Sequence, residues 1–181
     1  MEVIKTQFDG LLVFQPKIFR DERGYFFEYF RKDVFKDFNV NLEFVQSNES
    51  QSNKNVLRGM HFQNPPHEQG KLIRVVKGSV LDVSVDIRLN SATYGKWFSR
   101  ELNETNKTIL WIPAGFAHGF LTLADNTIFQ YECTNYYHKD SEGSIRWNDP
   151  TINIDWKISD PIISDKDKFA PLFKDFVSRF N

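Results

Sequence analysis

One cysteine, Cys133, occurs in 181 residues. An intrachain disulfide and a cysteine-built zinc site are therefore both excluded. No apolar run approaches the roughly eighteen residues that a membrane-spanning helix needs, and Met1-Glu2-Val3-Ile4-Lys5 offers no apolar signal core. The expectation is a cytoplasmic protein with no membrane partner. Net charge is only −1, with both signs interspersed, which leaves no basic face for nucleic acid. Repeats, low-complexity tracts and linkers are also missing, so residues 1–181 read as a single domain, long enough to bury a core.

What is abundant is phenylalanine, with 18 residues; aromatic side chains suit pleated, half-buried surfaces. Short apolar runs recur between turn signals such as Asp9-Gly10, Lys77-Gly78 and Tyr94-Gly95. That spacing predicts a β-sandwich or barrel. The clearest strand is Leu81 to Ile87, with Leu81, Val83, Val85 and Ile87 on one face and Asp82, Ser84 and Asp86 on the other. Further strands are expected over 24–29, 43–49, 57–62, 72–77, 108–112, 116–123 and 128–134. Arg31 to Phe38 has helical spacing. Leu172, Phe173, Phe176, Val177 and Phe180 read as a closing amphipathic helix whose stripe serves core or interface. The expected class is mainly β with short flanking helices.

The chemistry concentrates in Val56-Leu57-Arg58-Gly59-Met60-His61-Phe62-Gln63 and Gln69-Gly70-Lys71-Leu72-Ile73-Arg74-Val75. They put a histidine beside Arg58, Lys71 and Arg74 on neighbouring strands, joined through Pro65-Pro66. A base next to fixed positive charge suits proton transfer on an anionic carbonyl substrate. His118, in Pro113-Ala114-Gly115-Phe116-Ala117-His118, resembles half of a metal motif, but the other half is missing. Pro65-Pro66 also separate His61 from His67, so no metal set is expected. His138 reads as a surface residue. Tyr131, Cys133 and Asn135 would share a strand face, with Tyr137 at its end; Tyr131 is either a buried hydrogen-bond partner or a proton donor. Ser164 and Asp167 fit a helix cap, and Asp167 equally fits a carboxylate that orients a histidine.

These motifs, together with Asp21 to Glu28, Asp82 to Arg88, Ser91 to Trp97, Ile145 to Pro150 and Ile163 to Pro171, resemble one family in order and spacing. It is the cupin-fold nucleotide-sugar 3,5-epimerases, the dTDP-4-dehydrorhamnose 3,5-epimerase family. The resemblance implies a cupin-type jelly roll, a nucleoside-diphospho-4-keto sugar as substrate and no cofactor. It makes His61 the base, Asp167 its orienting partner, Lys71 the enolate stabiliser and Tyr131 the acid. It implies substrate binding by Arg23, Glu28, Gln46, Asn48, Arg58, His118, Tyr137, Glu142 and Lys166. It also implies a homodimer with exchanged N-terminal strands, in which Arg23 and Glu28 serve the partner's site, and a place in deoxysugar, capsule or O-antigen precursor synthesis. Asp82 is expected to pair with His118.

Ser47 departs from the family's usual Gln-Asp-Asn, here Gln46-Ser47-Asn48. Near an expected base pocket, that leaves dTDP-hexose and GDP-heptose substrates both open. Epimerisation at one carbon, a metal-dependent cupin enzyme and a non-catalytic nucleotide-sugar binding module are the other readings.

Overall fold

The computed structural model describes every residue except Asn39, Asn41 and Leu42. In chain order the strands are β1 (Glu2–Lys5), β2 (Leu12–Gln15), β3 (Ile18–Asp21), β4 (Gly24–Phe27), β5 (Gln46–Ser52), β6 (Leu57–Gln63) and β7 (Lys71–Lys77). They continue with β8 (Ser79–Asp86), β9 (Trp97–Asn103), β10 (Ile109–Ile112), β11 (Phe116–Thr122), β12 (Thr127–Cys133) and β13 (Glu142–Ser144). Two short helices join them, α1 (Lys32–Lys36) and α2 (Asp165–Lys168). Among the described residues no helix is long and apolar enough to cross a membrane.

Six strands form one antiparallel sheet in the order β1-β2-β10-β7-β12-β5, and five form a second in the order β13-β6-β11-β8-β9. The two face each other as the jelly-roll sandwich expected from the resemblance. β3 and β4 stand apart as a hairpin.

Strand alternation sorts the side chains into three apolar layers. Val13, Ile73, Val75, Val80, Phe116, Phe120 and Phe129 fill the space between the sheets. Leu12, Phe14, Leu72 and Trp111 point outward from the six-stranded sheet and are covered by Phe35 of α1. Val83, Val85, Ile87, Ala117 and Leu121 point outward from the other sheet, where Ile145, Ile152, Ile154, Trp156 and Phe180 cover them. The polar face of β8 is therefore the inner one: Asp82, Ser84 and Asp86 are fully buried between the sheets.

The chain's end does not form the expected helix. Phe173–Asp175 is a single 3-10 turn, and the tail then runs extended. Phe176 and Phe180 pack edge-on against Phe62, while Val177 is 82% exposed. The tail is tied to the segment after β8 instead: Leu89 N donates to Phe180 O at 2.9 Å and Ser178 Oγ to Ile87 O.

Asp86 fastens this end of the sandwich. Its carboxylate accepts from Arg88 Nε (2.9 Å), Arg88 Nη2 (2.7 Å), Ser91 Oγ (2.6 Å) and Thr93 Oγ1 (2.6 Å). Burial pushes this carboxyl upward, but Arg88 and the two hydroxyls outweigh it and hold it below the usual range. The folded value is then lower than the unfolded one. Its stabilisation is complete above the ordinary carboxyl range near ~4 and is lost as pH falls through the folded value. Asp86→Asn is expected to flatten the fall of the urea midpoint as pH drops below the ordinary carboxyl range near ~4; parallel curves would place the acid loss elsewhere.

Candidate active site

A strand alternates faces every residue, so Arg58 and His61, three apart, belong on opposite sides of β6. They nevertheless line the same pocket. The register explains this: His118 pairs with His61 and Phe120 with Arg58, so three steps on β6 match two on β11. The extra residue is a β-bulge. It sits at Gly59, whose φ of +135° suits glycine. A Cβ there would lie 2.5 Å from Gly119 Cα, so the second strand is glycine where the first must be.

The pocket opens between the sheets with a volume of about 560 Å³. Its walls include Arg58 and His61 of β6, Lys71 of β7, His118 and Phe120 of β11, Phe129 and Tyr131 of β12, and Asn48 of β5. Ile162, Ile163, Ser164 and Asp167 close one side. The five-stranded sheet thus supplies His61, and the six-stranded sheet facing it supplies Lys71 and Tyr131.

His61 Nε2 lies 2.5 Å from Asp167 Oδ1. Asp167 is 3% exposed, and its second oxygen faces Gly59 N at 3.4 Å. Burial raises this carboxyl, but the bond and charge of His61, then Gly59 and Ser164, hold it below the usual range. Ser164 also caps α2, accepting from Asp167 N at 3.2 Å. The helix cap and the contact with His61 thus coexist in Asp167.

Behind His61, His118 Nε2 is 2.8 Å from Asp82 Oδ2, as expected. Burial pushes the Asp82 carboxyl up against the pull of His118 and Lys71. Lys71 is half-buried, with Nζ 5.8 Å from the centre of the Tyr131 ring. Desolvation lowers its ammonium, opposed by Cys133, Asp82 and Glu142. The Tyr131 phenol is raised, first by burial and then by Cys133, with Arg58 opposing. Such a phenol keeps its proton at neutral pH and can donate it.

Gln46, Tyr137, Glu142 and Lys166 do not line this pocket but form a polar chain beside it. Gln46 Nε2 donates to Asn48 Oδ1 (3.1 Å), Tyr137 N to Gln46 Oε1 (2.8 Å), Tyr137 Oη to Glu142 Oε2 (3.5 Å), and Lys166 pairs with Glu142. Arg23 and Glu28 are elsewhere. Arg23, at the exposed tip of the β3–β4 hairpin, pairs with Asp21, and Glu28 lies 3.7 Å from Arg31.

Three expectations need correction. Arg74 is not a pocket cation: alternation puts it on the outer face with Leu72, over the Tyr29 ring at 4.3 Å and bonded to Gln130. His138 is not a free surface residue, since it stacks on His67 at 3.7 Å with its Nδ1 buried. β6 and β7 are not neighbouring strands but belong to the two facing sheets. Ser47 is exposed on the outer side of β5, bonded to Glu132 opposite it. Phe120 and Phe129, stacked at 4.1 Å, went unnoticed as pocket walls. Each lies two residues from a named site residue, so strand alternation alone could have found them. Among the described residues no three His, Cys, Asp or Glu side chains converge as a metal set.

The sequence profile of a family described as dTDP-4-dehydrorhamnose 3,5-epimerase matches residues 5–175. The enzyme of that name from Shigella flexneri is 50% identical over 176 residues, covering 97% of each chain. A crystal structure of dTDP-6-deoxy-D-glucose-3,5-epimerase from Legionella pneumophila, in complex with dTDP-4-keto-L-rhamnose, is 44% identical with a TM-score of 0.93, covering 99% of this chain and 98% of that one. A 3'-monoepimerase from Streptomyces bikiniensis, in complex with dTDP-quinovose, is 32% identical with a TM-score of 0.88, covering 92% and 85%.

The bulge makes Gly59 the test of this geometry. Gly59→Ala is expected to cost roughly 1–3 kcal/mol or more in urea unfolding, from overpacking and positive φ together. Its loss of turnover is expected at temperatures where it remains folded, because Arg58 and His61 diverge. Full activity in a stably folded Gly59→Ala would remove the bulge from the argument.

Proposed function

The chain belongs to the dTDP-4-dehydrorhamnose 3,5-epimerase family and is an isomerase, and on that premise we propose that it inverts C3 and C5 of a dTDP-4-keto-6-deoxyhexose without a cofactor. The observation that carries this reading is the placement of His61 and Tyr131 on facing sheets around one pocket. Epimerisation needs a proton removed from one face of a carbon and returned to the other.

In this mechanism His61, held by Asp167, takes the proton from C3 or C5. The electron pair moves to the C4 oxygen, and Lys71 donates hydrogen bonds to the enolate. Tyr131 then protonates the carbon from the opposite face. An imidazole base alone is inadequate against a ketone's α-hydrogen, since general acid–base catalysis supplies about 10²–10⁴-fold. Preorganised positive charge at the forming oxyanion is the larger contribution, and Lys71 sits where burial strengthens it. His61 and Tyr131 recover their starting protonation by exchange with water.

Arg58, His118, Asn48 and the chain from Gln46 through Tyr137 and Glu142 to Lys166 would bind the nucleoside diphosphate. Arg23 and Glu28 would serve a second protomer through an exchanged N-terminal segment. The hairpin that carries them leaves Phe19, Tyr25 and Phe26 more than half exposed, as a partner-seeking surface would. We read residues 1–181 as one catalytic domain, cytoplasmic and supplying deoxysugar precursors for capsule or O-antigen. The dTDP nucleotide is favoured over a GDP-linked 4-keto heptose by the relatives' names. Inversion at both carbons is favoured because the double epimerases are nearer in sequence than the monoepimerase.

Proton NMR in D₂O tests the whole reading. Deuterium is expected at both C3 and C5 of the dTDP substrate, and at neither carbon of a GDP-linked 4-keto heptose. Exchange at a single carbon would make it a monoepimerase. His61→Ala is expected to lose exchange at both carbons by at least about 10²-fold, and full turnover in that variant would sink the mechanism. Tyr131→Phe is expected to keep deuterium wash-in while inversion falls, because His61 can return a proton only to the face it came from. Equal losses of exchange and inversion would remove Tyr131 from the acid role.

A further inference from the structure

Asp167 reaches His61 from a helix of only four residues, α2. A single turn has no intrinsic stability in water, because nucleation outweighs one turn's bonds. The Ser164 cap is local to the same turn, so it cannot fix α2 relative to β6. Something outside must hold the segment on the strand that carries His61.

Upstream, Ile162 is fixed by Ile162 N to Asn55 O (2.8 Å) and Leu57 N to Ile162 O (2.9 Å). Downstream the clasp is Arg146. Its Nε donates to Ala170 O at 3.0 Å and its backbone N to Pro171 O at 2.9 Å. Among the described residues Arg146 joins no ion pair, so its guanidinium is committed to that carbonyl. Its neighbour Ile145 is bonded both ways to Met60, through Met60 N to Ile145 O (3.2 Å) and Ile145 N to Met60 O (3.0 Å). Met60 immediately precedes His61. Both ends of the His61–Asp167 bond therefore share one anchor: β6 holds His61 directly, and holds Asp167 through Ile145, Arg146 and Ala170. The buried Asp149 reinforces the clasp by accepting from Phe173 N at 2.8 Å.

We propose that Arg146 is a positioning residue that sets the Asp167 carboxylate against His61. It lines no part of the pocket and touches no reacting atom. The inference rests on the reading of His61 and Asp167 as base and orienting partner.

The test is a double-mutant cycle of Arg146→Ala with Asp167→Asn, measured on the dTDP-4-keto-6-deoxyhexose, alongside NMR of the His61 imidazole N–H. Arg146→Ala is expected to lower kcat by about tenfold to a hundredfold, the scale of a roughly 1 Å misplacement, with KM nearly unchanged. The His61 N–H resonance is expected to broaden or disappear, and Arg146→Lys to be intermediate in both. In the Asp167→Asn background, Arg146→Ala is expected to cost little more, because the group it positions is already disabled. Losses that multiply, a loss carried by KM, or an unmoved His61 resonance would each overturn the proposal. If Arg146→Ala does not fold, Arg146→Lys carries the same comparison. Wild-type turnover in Asp167→Asn alone would instead overturn the orienting-partner reading, and the positioning role with it.

Discussion

One surplus residue in β6 organises the site. Without the bulge at Gly59, Arg58 and His61 would point to opposite faces, and one of them would enter the outer apolar layer with Met60 and Phe62. The same shift lets Leu57 and Met60, also three apart, share that outer layer. Parity is thus satisfied on both sides of the sheet at once. The cost is a backbone that only glycine suits, pressed against a second glycine on β11. The two histidines, cross-strand partners at His61 and His118, are held side by side as a result.

Charge is the second constraint. The inner face of the five-stranded sheet carries Asp82, Ser84, Arg58, His61 and His118, where a sandwich normally puts hydrocarbon. Burying such groups is costly unless each finds a partner. The dyads His61–Asp167 and His118–Asp82 meet much of that demand, yet Asp82 Oδ1 and Ser84 Oγ stay unpartnered. Lys71, whose ammonium desolvation disfavours, has no carboxylate within ion-pair distance among the described residues. A fold selected for stability alone gains nothing from this. An anionic ligand that brings negative charge to Lys71 and Arg58 would relieve it.

The strands were legible wherever period two was unbroken, as over Leu81 to Ile87, and so was the helical spacing of Arg31 to Phe38. What alternation could not say is which face of a strand lies inside. β8 reads as apolar-in and polar-out, yet its polar face is the inner one, because the segment from Ile145 to Phe180 roofs the apolar face. That roof is also why the stripe Leu172 to Phe180 failed as a helix. Its phenylalanines are spaced to reach an existing apolar surface, and an extended tail reaches it as well as a helix would. Of the strand residues named from the sequence, Asn48, Arg58, His61, Lys71, His118 and Tyr131 line one pocket, whereas Gln46 and Glu142 lie beside it. Arg74 was grouped with the pocket cations, yet it sits three steps from Lys71 on the same strand and so faces outward. The clasp of Arg146 on Ala170 left no local signal, because it joins backbone to side chain across 24 residues.

A sandwich suits chemistry on both faces of one carbon. Here the pocket is the gap between sheets, and each sheet holds its lining groups in register. His61 comes from β6 of one sheet, Tyr131 and Lys71 from β12 and β7 of the other, where they are neighbouring strands. His61, Tyr131 and Lys71 are thus each placed by a strand rather than by a loop. The one participant that no sheet supplies is Asp167, which arrives on a single turn of helix. Its precision has to be imported from β6, so sensitivity to distant substitution should concentrate along that path rather than in the sheets.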